Sequence, residues 1–169
     1  MARLIVLDAG PIGLLCQKRT AGDVGRCWDW REVLDYSGAI VCLPEIAVYE
    51  VRRELLRQRR NHSLGRMREL IGDSLYLSIN RQVMEHAAQL WALIRQAVIP
   101  TASPESLDAD CILAAQALNA VGLGDVVTVA TTNVVHLAHG TRFAEHPTAF
   151  PLRSCSSTTN TPSRSGFRK

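Results

Sequence analysis

Short apolar runs rich in β-branched residues recur along the chain, and between them lie longer stretches whose apolar residues repeat at helical spacing. Leu4 to Leu7, Ala39 to Leu43, Leu75 to Ile79 and Val126 to Ala130 read as strands. Pro11 suits a first helical turn, and a helix over about Ala21 to Tyr36 ends at Ser37-Gly38. Pro44 opens a long helix to about Arg60. After a basic loop the helical pattern returns over Met67 to Ile71. Asn80 is placed to cap a helix reaching Val98, Pro100 through Pro104 is a break, and Leu107-Asp108 starts a helix that ends near Gly122. Strands alternating with helices predict an α/β fold, a sheet that is mainly parallel and covered by helices on both faces.

The chain of 169 residues is long enough for one ordinary domain with its own core. At 47% apolar and 21% charged residues it has the balance of a soluble globular protein. No apolar run approaches the ~20 residues of a membrane span, and the N-terminus runs into a strand without a signal-peptide pattern, so a cytoplasmic location is expected. The expected division is a folded domain over 1–150 and a disordered tail over 151–169. From Ser154 onward Ser, Thr, Asn, Pro and Arg leave almost nothing to bury. The net charge of +3 points to no anionic partner, because Arg153, Arg164, Arg168 and Lys169 of that tail account for all of it. Five cysteines, Cys16, Cys27, Cys42, Cys111 and Cys155, lack CxxC or Cys/His spacing and read as reduced thiols rather than a zinc site.

Acidic residues fall where strands and helices meet. Asp8 directly follows the first strand, at the carboxyl edge of a parallel sheet, where open α/β folds bind ligands. Asp8-Ala9-Gly10-Pro11 also suits a plain turn and helix cap. On the helix opened by Pro44, the core stripe Ala47, Val48, Val51 and Leu55 has Glu50 and Glu54 on one border. From there Glu50 either reaches over the sheet edge or belongs to an exposed face of ion pairs with Arg53 and Arg57. In Ser106 to Ala115 the helix is apolar nearly all round after Asp110. Asp108 is expected as its N-cap, leaving Asp110 to face the sheet edge, unless both only serve the helix start.

Four pieces in this order resemble the PIN-domain family, especially VapC-like toxins of toxin–antitoxin modules. They are Ile5-Val6-Leu7-Asp8, the helix from Pro44 to Leu55 with Glu50, Asp110-Cys111-Ile112-Leu113-Ala114-Ala115, and Thr131-Thr132-Asn133 after the last strand. The resemblance covers about residues 3 to 143. It implies a three-layer α/β/α sandwich and an acidic pocket that binds Mg²⁺ or Mn²⁺ and hydrolyses RNA phosphodiester bonds. It maps the metal-holding acids to Asp8, Glu50 and Asp110, with Asp108 beside them. Thr132 and Asn133 match the Thr/Asn strand end that orients water or a ligand carboxylate. Where the family pattern carries a fourth acid, three residues after the Asn, this chain has His136. That residue is a ligand, a proton donor, an RNA contact or an ordinary loop histidine.

Physical chemistry points the same way as the resemblance. Carboxylates gathered within a few ångströms repel one another unless a cation neutralises them, and an all-oxygen set suits Mg²⁺ or Mn²⁺. Arg52, Arg53, Arg57, Arg59, Arg60, Arg66 and Arg68 crowd the end of the Glu50 helix and the residues after it. There they either draw an RNA backbone toward the acids or form a solvated face. Trp28, Trp30 and Trp91 read as packing residues rather than base-stacking platforms. The resemblance also implies a protein antitoxin and a homodimer. Two rival readings follow: an inactive PIN-like module that binds RNA or protein, and a phosphotransfer enzyme with Asp8 as nucleophile. The second lacks the acid that haloacid-type phosphatases carry two residues on, where this chain has Gly10.

Overall fold

The structure is a computed structural model that describes residues 3–96, 104–123 and 126–132. Along the chain run β1 (Arg3–Leu7), α1 (Ala9–Leu15), α2 (Asp23–Tyr36), β2 (Ile40–Pro44), α3 (Glu45–Arg57) and α4 (Asn61–Gly72). They are followed by β3 (Leu75–Leu77), α5 (Arg81–Gln96), α6 (Pro104–Ala120), a 3-10 turn (Val121–Leu123) and β4 (Val126–Ala130). The four strands pair in the order β3-β2-β1-β4, and every pairing is parallel.

Side chains alternate across a strand, so a fully buried strand feeds two cores. Ile5 and Leu7 of β1 join Val41 and Leu43 in a core with residues of α1, α2, α3 and α4. Leu4 and Val6 point the other way, onto Leu113, Ala117 and Ala120 of α6 together with Val127 and Val129. A third cluster, with Val83, Ala87 and Ile94 against Leu107, Cys111 and Ala115, fastens α5 to α6. The result is the three-layer α/β/α sandwich. Each fully buried Leu or Val contributes about 1.5–3 kcal/mol of transfer free energy, which is why the apolar runs lie at the centre.

This strand order creates the place for a site. From β1 the chain steps to β2 and then β3 on one side, and then crosses to lay β4 on the other side of β1. The direction of winding reverses between β1 and β4, and such switch points leave a crevice at the carboxyl ends of the strands.

Several expectations about elements are corrected. The basic stretch after Arg60 is not a loop: α4 begins at Asn61, because Leu64, Met67, Leu70 and Ile71 supply an apolar face that packs on the core. Only a tight turn separates it from α3, with Arg59 at φ 53 in the left-handed region. Helix α6 starts at Pro104, so Asp108 lies inside it and is not its N-cap. Proline is well suited to a first helical position, its missing N–H being one that would have no helical partner there. Strand β3 is also shorter than expected, ending at Leu77. Asn80 does act as a cap, its Oδ1 accepting the Val83 N–H at 2.9 Å. Residues 151–169, Cys155, Asn133 and His136 lie outside the described residues.

Candidate active site at the carboxyl edge of the sheet

Asp8 stands at the switch point. The parallel register places Leu7 beside Ala130, and the Asp8 N–H donates to the Ala130 carbonyl at 2.9 Å. The next residue after β4, Thr131, is therefore brought level with the Asp8 side chain. Its Oγ1 donates to Asp8 Oδ2 at 2.7 Å, while Oδ1 accepts the Ala9 N–H at 2.6 Å and caps α1. Both carboxylate oxygens are thus held by hydrogen-bond donors. Cap and ligand are compatible roles, since each oxygen keeps lone pairs free after accepting one bond.

Glu50 lies one and a half turns into α3, with its side chain 28% exposed. Its carboxyl group is pushed above the ordinary range. Burial is the main cause, the nearby negative charges of Asp8 and Asp110 add to it, and Arg53 opposes them. Glu50 thus feels two acids from distant parts of the sequence, one following β1 and one on α6. Cys111, next to Asp110, is raised to about 11 by burial and by the charges of Asp110 and Asp108. Asp108 is exposed and Asp110 half-buried. Two residues along a helix is about 200° of rotation, so the two carboxylates leave α6 on different sides.

The angle at which α3 crosses the sheet edge is set by two polar residues that the sequence analysis did not single out. Pro44 precedes α3 and offers no side-chain cap. Instead Gln116 of α6, only 2% exposed, accepts the Ile46 N–H at 3.3 Å through Oε1 and donates through Nε2 to the Leu77 carbonyl. Glu45 Oε2 in turn accepts the Ile79 N–H at 2.6 Å. Gln116 therefore ties the start of α3, the end of β3 and α6 together, and it lies on the helix that carries Asp110. The sign of it in the sequence is a lone amide in an otherwise apolar helical segment, a pattern that marks a buried polar group with partners.

The remaining candidate residues divide. Thr132 is exposed, and its side chain lies directly against Gly10, where any Cβ would collide with Oγ1. Glycine at position 10 is what lets the start of α1 approach the end of β4. Arg53 stacks over the Tyr49 ring at 5.5 Å and stands 3.8 Å from Glu50. Arg57 is held by Glu54 through bonds of 2.6 and 2.8 Å and points its charge there; Arg57 and Gln58 together hold Glu54 at about 2. The expectation of an ion-paired face thus holds for Glu54 with Arg57 and, more loosely, for Glu50 with Arg53. Trp28 and Trp30 pack on the core, and the four described cysteines are free thiols.

Carboxylates whose charges reach one another, one of them pushed toward its neutral form by burial and then by the other two, have the oxygen-only donor chemistry that a hard divalent cation takes. Among the described residues no group of three acidic, histidine or cysteine side chains is placed to hold a metal ion.

The chain matches no family model and no curated protein. Among solved structures it is similar to a chain in the crystal structure of VapBC2 from Rickettsia felis bound to a DNA fragment from their promoter. The TM-score is 0.62 at 11% identity, over 90% of this chain and 99% of that one. It is also similar to a chain in DNA-bound VapBC from Salmonella typhimurium, with a TM-score of 0.56 at 16% identity, over 91% and 98% of the two chains. At such identities the likeness is one of fold, and it extends over nearly the whole length of both relatives. The resemblance read from four short motifs therefore holds for the architecture: the chain has the PIN-like three-layer α/β/α fold.

Proposed function

We propose that this chain is a divalent-metal-dependent endoribonuclease and the toxin of a toxin–antitoxin pair, with Asp8, Glu50 and Asp110 as the metal-holding acids. One observation supports the reading: Glu50, raised first by burial, also feels the charges of Asp8 and Asp110, two acids more than 40 positions away from it in the chain. A bound Mg²⁺ or Mn²⁺ supplies an activated water and stabilises charge on the phosphate. The chain's own groups do the rest. Thr131 and the Ala9 N–H hold Asp8 in one orientation. Gln116 keeps the helices of Glu50 and Asp110 in place. Arg53, beside Glu50, offers a charge to an incoming phosphate. Asn133, Thr132, His136 and Asp108 enter the same reading, through the family resemblance, as water, substrate or outer metal contacts.

The two similar structures are both VapBC assemblies on DNA, which supports a protein antitoxin as partner. A homodimer and a cytoplasmic site of action belong to the same reading. Among the described residues no helix is long and apolar enough to cross a membrane.

The test is to incubate purified protein with structured RNA in Mn²⁺ or Mg²⁺ and in EDTA, beside Asp8→Asn and Asp110→Asn. Cleavage is expected only for the unaltered protein with metal. Cleavage that survives EDTA or both substitutions refutes the site, and RNA binding without cleavage identifies an inactive binding module.

A further inference from the structure

Helix α3 leaves β2 at the carboxyl edge of the sheet, and its exposed side carries Tyr49, Arg52, Arg53 and Leu56. At helical spacing these four form one stripe, and Glu50 borders it. Tyr49 is 57% exposed, a large open area for an aromatic ring. Arg53 lies over that ring at 5.5 Å from its centroid, and the same guanidinium stands 3.8 Å from Glu50 Oε1. One arginine thus spans an aromatic face and a candidate metal-holding carboxylate. Its hold on the carboxylate is looser than a hydrogen bond, whereas Arg57 on the next turn is tied to Glu54 at 2.6 and 2.8 Å.

Other exposed aromatic residues lack this company. Trp91 of α5 has a stacked arginine too, Arg95 at 5.1 Å, but no acid occurs from residue 87 to residue 95. Tyr36, almost fully exposed, ends α2 just before β2 begins and so stands at the amino edge of the sheet, away from Asp8 and Glu50.

An open π-face beside a guanidinium suits an unpaired nucleotide, whose base stacks on the ring while its phosphate meets the arginine. Base and phosphate are one sugar apart, a separation of the same order as that between ring and carboxylate across one guanidinium. The charge of the stripe favours this occupant over an apolar peptide. An apolar partner would strip water from Arg52 and Arg53 and give nothing back, whereas a phosphate pairs with them. We infer that Tyr49 is a stacking platform for one unpaired base of the substrate strand, next to the bond to be cut, and that Arg53 holds the phosphate of that nucleotide. The identity of the strand as RNA, and the cut beside Glu50, rest on the proposed function. Stacking needs a base that is out of a duplex, and every base has a π-face, so the platform selects single strands and discriminates little by sequence.

The test uses the Asp8→Asn protein with Mg²⁺ and short oligouridylates carrying 2-aminopurine at each position in turn, a base whose fluorescence is quenched when it stacks. Each is offered as a single strand and annealed to its complement. Quenching on binding is expected at one or more positions of the single strand and at none in the duplex. Tyr49→Phe keeps the ring, so quenching stays and affinity changes less than about twofold. Tyr49→Ala loses the quenching and weakens binding about five- to a hundredfold, one stacked base's worth. Arg53→Gln lowers the salt slope of binding by about 0.7, one single-strand phosphate's worth. Because Tyr49 is exposed, its replacement leaves the core as it is, and an unchanged Tm confirms that.

Equal losses for Tyr49→Phe and Tyr49→Ala mean a hydroxyl contact and overturn the platform. An affinity indifferent to Tyr49→Ala, a duplex bound as tightly as the single strand, or no oligonucleotide binding at all does the same. Sedimentation in which Tyr49→Ala breaks a dimer while oligonucleotide binding stays unchanged assigns the stripe to a second copy of the chain instead. Stacking on Tyr49, together with unaltered protein that cleaves no RNA, upholds the platform and refutes the ribonuclease reading. Cleavage whose KM is untouched by Tyr49→Ala upholds that reading and refutes the platform, so the two failures are separable.

Discussion

Replacing Gly10 with Ala tests how tightly the start of α1 is pressed against the end of β4. A Cβ built at position 10 collides with Thr132 Oγ1 and stands 3.1 Å from Thr132 Cβ and 3.2 Å from its Cγ2. Rotating the threonine removes the clash with Oγ1 but leaves its Cβ where it is, so the helix or the strand end has to give. Overpacking of this kind costs about 1–3 kcal/mol. Alanine in a helix offsets up to about 1 kcal/mol of it, since glycine is the poorer helix former. The expected net loss is about 1–2 kcal/mol, or about 2–8 °C in Tm for a domain of this size. The decisive measurement is a double-mutant cycle by urea unfolding. In a Thr132→Gly background both Oγ1 and Cβ are gone, so Gly10→Ala becomes neutral or stabilising by up to about 1 kcal/mol. If the two substitutions add to within about 0.5 kcal/mol, the close approach is not what requires glycine. Because Thr131, next to Thr132, holds Asp8, the single variant also lowers any nuclease activity, and the double variant restores part of it.

Three further outcomes follow from the same geometry. The raised carboxyl of Glu50 gives the folded state a proton that the unfolded chain has already lost, so its stabilising contribution fades as pH rises from the ordinary carboxylate range through the raised value. In EDTA, Glu50→Gln flattens that decline and is more stable than the original at neutral pH; unchanged pH-dependent unfolding curves contradict the raised carboxyl. Mn²⁺ raises Tm, with about 2.7 kcal/mol of stabilisation at a hundred times its Kd. The rise disappears when Asp8, Glu50 and Asp110 are all converted to amides, and its persistence there places the ion elsewhere. Gln116→Leu leaves the Ile46 N–H and the Leu77 carbonyl without partners, at about 1–3 kcal/mol each. Chemical denaturation showing a loss below about 1 kcal/mol means that another group takes over the bridge.

Much of the architecture was legible before any coordinates. The apolar runs at Leu4 to Leu7 and Val126 to Ala130 lie within the observed strands, and the stripe Ala47, Val48, Val51 and Leu55 is the buried face of α3. Burial acts through local patterns of apolar spacing, so these can be read from neighbours in the chain. The boundaries that went wrong, at α4 and at the start of α6, are places where capping geometry and packing outweigh local composition. A run of arginines reads as loop until the apolar face of Leu64, Met67 and Leu70 is given a core to cover.

Residue types and their order were enough to nominate Asp8, Glu50 and Asp110, because acids at strand and helix ends are visible one segment at a time. Their meeting depended on the strand order β3-β2-β1-β4, which carries β4 to the far side of β1 and opens the crevice. Register did the finer work. With Leu7 beside Ala130, it is Thr131 that bonds to Asp8, while Thr132 faces Gly10. Gln116 drew no notice in the chain, and Gly10 only as part of a turn, because their roles consist of contacts with other segments. Hydrogen bonds and steric contacts act over a few ångströms, so only the folded chain settles which distant residues share them.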